Sequence, residues 1–164
     1  MNPCMRLLPL ILLAPGLAFG SDVVRHKLPN NSTFPIAAAV EVPAGHTTVY
    51  LSGAVPPVAN ADEPATSIAA YGNTESQTVA VLARIQAQLE GMGLTMGDVV
   101  KMQVFLVGDP DLAGRMDFAG FMKGYSQFFG TQAQPNLPAR STMQVAALAN
   151  PGFLVEIEVT AVRR

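Results

Sequence analysis

Leu137-Pro138-Ala139-Arg140-Ser141-Thr142, followed beyond Asn150-Pro151-Gly152 by Val155-Glu156-Ile157-Glu158-Val159-Thr160-Ala161-Val162, is the stretch on which the reading of the chain turns. In its second half Val155, Ile157, Val159 and Ala161 point one way, and Glu156, Glu158 and Thr160 the other. Alternation this regular predicts a strand with one face on a core and one on water or a cleft. Arg140 stands between a proline-containing loop and an apolar strand, which fixes its backbone and leaves its head free. A guanidinium is permanently charged, and its planar fork of donors matches a carboxylate.

Upstream of this stretch the periodicity changes twice. Thr74-Glu75-Ser76-Gln77 fits a capping box. Thr78, Val81, Leu82, Ile85, Leu89 and Met92 then recur at helical spacing until Gly91 and Gly93 stop them. Val99 to Val107 is an apolar run with Val100, Met102, Val104 and Leu106 on one face, which predicts a strand. Phe118, Phe121, Met122, Tyr125 and Phe128 or Phe129 make the stripe of a second helix, read as core, and Gly130 ends it. Residues 37–42 and 47–51 read as a β-hairpin about Pro43-Ala44-Gly45-His46. Residues 141–148 and 153–162 read as another about Asn150-Pro151-Gly152. The order ββαβαββ predicts a one-domain α+β sheet with two helices that can cover one face. The loop from Gly53 to Gly72 is too long for a plain connection and is expected to pack over another part of the chain.

At 164 residues the chain is one domain, and with 49% hydrophobic and 13% charged residues it has ample material for a core and little charge for a surface. Sparse charge of this kind suits a chain that buries surface in an oligomer. Residues 1–20 read as a cleavable signal peptide, with Arg6 ahead of an apolar stretch and Ala18-Phe19-Gly20 before the cleavage point. The domain then spans 21–164 and is exported, in a bacterium to the periplasm, with no membrane attachment after cleavage. Pro9, Pro15 and Gly16 break a stretch already short of the ~20 apolar residues a membrane span needs.

Cys4 is the one cysteine, so cleavage removes disulfides, thiolate metal sites and a cysteine nucleophile together. His26 and His46 lack the spacing of a zinc site, and no Walker loop or Gly-x-Gly-x-x-Gly occurs. Ser52-Gly53 has no nearby histidine base for a triad. The net charge of −2, with no basic run, gives nucleic acid no electrostatic footing. What remains is Arg140 with Glu156 and Glu158. If the last two strands form a hairpin, Glu156 lies opposite a residue near Val145, five residues or ~16 Å from Arg140. The two then share a site most readily across a subunit boundary.

Tyr50-Leu51-Ser52-Gly53, Gly97-Asp98-Val99-Val100-Lys101 through Val104-Phe105, Phe128-Phe129, Pro138-Ala139-Arg140-Ser141 and the terminal Val155 to Val162 together resemble the Rid family, also called YjgF-like proteins. The likeness covers roughly residues 36 to 164. It implies a chorismate-mutase-like fold with a mixed β-sheet, a homotrimer with clefts between subunits, and no cofactor. RidA-type members deaminate reactive enamines and imines, such as 2-aminoacrylate, to 2-keto acids and ammonia. Carried over by position, Arg140 binds the substrate carboxylate and Glu156 orients or activates water, while Ser52 and the backbone around Thr142 line the cleft. Two positions depart from the family: Ile36 replaces a cleft tyrosine and Met122 a helix asparagine, so two polar handles are lost. Thr142 also stands where some members have cysteine. The alternative reading is a non-catalytic trimer, chaperone-like or a small-carboxylate binder, that uses the same cleft.

Overall fold

The computed structural model describes residues 22–163; the signal segment expected at 1–20 lies outside the described residues. In chain order the elements are β1 (Val24–His26), β2 (Ala39–Glu41), β3 (Thr47–Tyr50), α1 (Thr74–Gly91), β4 (Val99–Val107), α2 (Phe118–Tyr125), β5 (Ala139–Val145) and β6 (Val155–Arg163). Four strands form the main sheet in the order β3-β6-β4-β5. β4 pairs in parallel with β5, and β6 runs antiparallel to both β3 and β4. The expected α+β architecture is the one observed.

Burial explains why β4 and β6 hold the middle. Met102, Val104 and Leu106 on β4, and Val155, Ile157 and Ala161 on β6, are fully out of solvent. An apolar alternating strand is stabilised most where it has neighbours on both edges and helices over one face. α1 contributes Val81, Leu82, Ile85 and Leu89 to that core, and α2 contributes Phe121 and Tyr125. The two helices approach closely at Gly124, where a Cβ would meet Thr78 side-chain carbons at 2.8 Å. Only a residue without a side chain allows that crossing.

Three details differ from the sequence reading. The N-cap of α1 is Asn73, whose side chain accepts from the Ser76 amide at 2.9 Å, so Thr74 lies one position inside the helix. Neither expected hairpin forms. β2 pairs with β1 as a separate two-stranded ribbon, and β3 pairs with β6. β5 and β6 do not touch, because β4 lies between them. The physical reason is the length of the link: β5 ends at Val145 rather than residue 148, and residues 146–154 are enough to step across the end of β4, where a hairpin uses about 2–5 residues. Asn150-Pro151-Gly152 does turn, with the Gly152 amide donating to Asn150 Oδ1 at 2.8 Å. Buried Gln77 holds this turn down by donating to the Gly152 carbonyl and accepting from the Leu154 amide.

The loop from Gly53 to Gly72 packs over that turn and not over Arg140. Tyr71 Oη and Asn150 Nδ2 both donate to the Ala65 carbonyl, and the Tyr71 ring meets Phe153 edge-on at 4.8 Å. A Cβ at Gly152 would overlap the Tyr71 ring, which makes the contact possible. The opposite face of the sheet is uncovered. It carries Lys101, Gln103, Glu156, Glu158 and Thr160, together with Tyr50, which is 80% exposed.

Candidate functional site

Arg140 pairs with Met102 and Thr142 with Val104, so both side chains emerge on the helix-covered face of the sheet. There the guanidinium carbon of Arg140 lies 4.2 Å from the Tyr125 ring centroid, 4.9 Å from Phe121 and 5.5 Å from Phe34. Cation–π attraction to three rings holds it in place. Nη2 meets the Met122 sulfur at 3.3 Å, a weak acceptor, and Nη1 is buried with no hydrogen-bond partner. Among the described residues no carboxylate pairs with Arg140. A half-buried cation on aromatic walls with an unused donor is prepared for an anion that comes from elsewhere.

Burial acts on both members of this stack. It lowers the Arg140 pKa from its ordinary value, and it pushes the Tyr125 hydroxyl up to about 12. Arginine retains its charge in proteins all the same. The Tyr125 hydroxyl donates to the Pro35 carbonyl at 2.9 Å and so ties the N-terminal arm to α2 beside Arg140. The oxygen of Thr142, like Nη1 of Arg140, is buried and unpartnered.

Glu156 and Ser52 occupy the other face. Glu156 pairs with Phe105 and Glu158 with Gln103, both out of phase with Met102. The segment after β3 follows β6 with one extra residue: the Leu51 amide bonds to Val159, and Ala54 bonds to Ile157. This irregularity falls at Ser52-Gly53. The Glu156 carboxylate lies over Gly53, where a Cβ would overlap its Oε1. Ser52, Lys101, Gln103, Glu158 and Thr160 line a groove of about 320 Å³ beside it. The expected site is therefore two half-sites, Arg140 with Met122 and Thr142 on the helix face, Glu156 with Ser52 on the bare face. Ile36 lies on the helix side, in a groove with Phe34 and Leu137.

Sequence reasoning missed Phe34 and Gly53, and it read Tyr125 as core alone. The adjacency of Phe34 to Pro35-Ile36, and of Gly53 to Ser52, was the available signal. Among the described residues, no group of three His, Cys, Asp or Glu gathers as a metal set, and no helix is long and apolar enough to cross a membrane.

A family model described as Endoribonuclease L-PSP matches residues 29–163. A RutC family protein of Haemophilus influenzae is 42% identical over 83 residues, 51% of this chain and 58% of that protein. TdcF of Escherichia coli, described as a candidate reactive intermediate deaminase, is 36% identical over 116 residues, 70% of this chain and 78% of its own. Its structure with bound serine superposes with a TM-score of 0.56 at 30% identity, covering 81% of this chain and 91% of that one. A Rid-family protein of Yersinia pestis, YyfB, reaches a TM-score of 0.62 at 27% identity, with coverage of 85% and 98%.

Proposed function

This chain belongs to the endoribonuclease L-PSP family, also called Rid or YjgF-like, and from that premise we propose that it hydrolyses reactive 2-imino acids to 2-keto acids and ammonia. The observation that carries the reading is the Arg140 guanidinium, held on three rings with Nη1 buried and unpartnered. A bidentate carboxylate supplies the charge and the acceptors that this fork lacks. The TdcF relative holds serine, a small molecule bearing such a carboxylate.

In the proposed reaction Arg140 fixes the carboxylate and so orients the neighbouring C=N bond. Glu156 takes a proton from water as its oxygen adds to the imine carbon, giving a carbinolamine. That proton passes to the imine nitrogen to complete the neutral carbinolamine; Glu156 then takes the hydroxyl proton and delivers it to the amino nitrogen as the C–N bond breaks, so that ammonia leaves and the keto group remains. An enamine enters the same route once it has tautomerised to the imine. Because Arg140 and Glu156 leave the sheet on opposite faces, the working cleft joins the helix face of one subunit to the bare face of another. The uncovered sheet face, with Tyr50 and Met143 exposed on it, supports a homotrimer closed through that face. Residues 1–20 act as the export signal in this proposal, and a mature amino terminus at Met1 by mass spectrometry would overturn that part.

A second reading is a trimer, chaperone-like or a simple binder of small carboxylates, which holds them without turnover. Met122 against Arg140, where the family has a polar residue, favours it. RNA cleavage is not supported, since an acidic chain offers no stripe to follow phosphates. The deciding assay generates imino acids in situ with an amino-acid oxidase and follows their disappearance. Wild type should accelerate hydrolysis and Arg140→Ala should not; equal rates for both across all substrates would leave the binding reading.

A further inference from the structure

We propose that Phe34, together with Phe118 and Ile36, forms a side-chain subsite that selects substrates with a large apolar or aromatic group on the carbon next to the reacting centre. The inference rests on Arg140 as the carboxylate holder and adds what lies beside it. Of the three rings around the guanidinium, Phe121 and Tyr125 are fully buried, whereas Phe34 is 39% exposed. Phe34 also belongs to an irregular arm between β1 and β2 rather than to a helix or strand. It is the one wall that can give way.

The ring of Phe34 stacks on Phe118 at 6.4 Å with an interplanar angle of 19°. The ring also lines a groove of about 380 Å³, with Leu28, Ile36 and Leu137 as its other apolar members and Lys27, Asn31, Ser32 and Thr33 as its polar ones. Apolar walls beside polar groups that fix orientation are what a small-molecule site offers. A carboxylate held about 2.8 Å from the guanidinium nitrogens places its α-carbon one bond further out. The substituent beyond that carbon then meets the Phe34 ring, whose centroid is 5.5 Å from the Arg140 Cζ. Stacking there replaces water against an exposed aromatic face. A substrate with only a methyl or methylene group leaves Phe34 and Ile36 wet.

The test uses stable 2-keto acids as probes, titrated by calorimetry into the whole protein: pyruvate, 4-methyl-2-oxopentanoate and phenylpyruvate. Wild type should bind phenylpyruvate at least about tenfold more tightly than pyruvate, the discrimination an apolar pocket gives. Phe34→Ala should bring that ratio close to one, and Phe34→Leu should leave it in between. Thermal melts of both variants check folding. Equal affinities in wild type, or a preference that survives Phe34→Ala, overturns the subsite. A preference lost in Phe34→Ala and retained in Arg140→Ala keeps the subsite and sinks the carboxylate role of Arg140. Absence of binding by all three acids sinks both.

Discussion

Arg140 and Glu156 stand on opposite faces of one sheet, registered on β4 against Met102 and Phe105 respectively, and no rotation of either side chain brings them together within a protomer. A site that needs both must draw them from two subunits. Two inactive proteins, Arg140→Ala and Glu156→Ala, should therefore complement one another when unfolded and refolded together. Random mixing in a closed ring leaves about a quarter of the sites with both residues intact. Imine hydrolysis that stays at the level of either variant alone would show that Arg140 and Glu156 do not act in one shared site.

Replacing Arg140 with lysine retains the charge and removes the fork, the stacking plane and the bidentate geometry. The kcat/KM for imino acids should fall by at least about a hundredfold, as truncation of one partner of a buried charged pair does. A tenfold loss or less would mean that a point charge is enough and that the fork is not used.

Gly53→Ala places a methyl group where the Glu156 carboxylate now lies. The displaced atoms are the far end of a flexible side chain, so unfolding in urea should change by less than about 1 kcal/mol. Activity should drop severalfold or more. A fully active Gly53→Ala protein would show that the present position of Glu156 is not the working one.

Gln77→Ala removes the acceptor of the Leu154 amide and a donor to the Gly152 carbonyl, both buried. Leaving such groups unpaired costs about 1–3 kcal/mol, and urea unfolding should show a loss of that size. The 150–154 turn should become more open to proteolysis at the same time. An unchanged denaturation midpoint would remove Gln77 from this role.

Burial holds the Tyr125 hydroxyl at about 12, against 10.0 for an ordinary tyrosine. Between those values the folded chain binds the proton more firmly than the unfolded one does. Its contribution to stability is therefore complete below pH 10 and lost as pH rises through 12, with a slope of at most about 1.4 kcal/mol per unit. Tyr125→Phe should be less stable by about 1 kcal/mol at neutral pH, for the lost bond to Pro35, and the gap should narrow above pH 10. A gap that is constant through alkaline pH would contradict this.

Much of this was legible from residue spacing. The helical period from Thr78 to Leu89 and the strand period from Val155 to Ala161 each name a buried face, because burial acts on single residues at fixed intervals. Which strands pair is a different kind of information. Nothing in the spacing of Val99–Val107 says that it inserts between β5 and β6; that follows from the reach of residues 146–154 and from the grip of Gln77 on the turn. Arg140 stood out by its charge beside apolar neighbours. Phe34 did not, since a ring in an irregular arm has no period to betray it, and its contact with Arg140 exists only once α2 and β5 are in place.

The pairing of β3 with β6 has a consequence for the order in which the molecule assembles. Thr47 lies against Arg163, so this edge of the sheet closes a loop nearly as long as the described chain. Closing such a loop pays its entropy before the contacts reward it, which places the step late and makes it slow beside the local α1–α2 packing. Until β6 arrives, β3 has no strand to join and the inner edge of β4 is open.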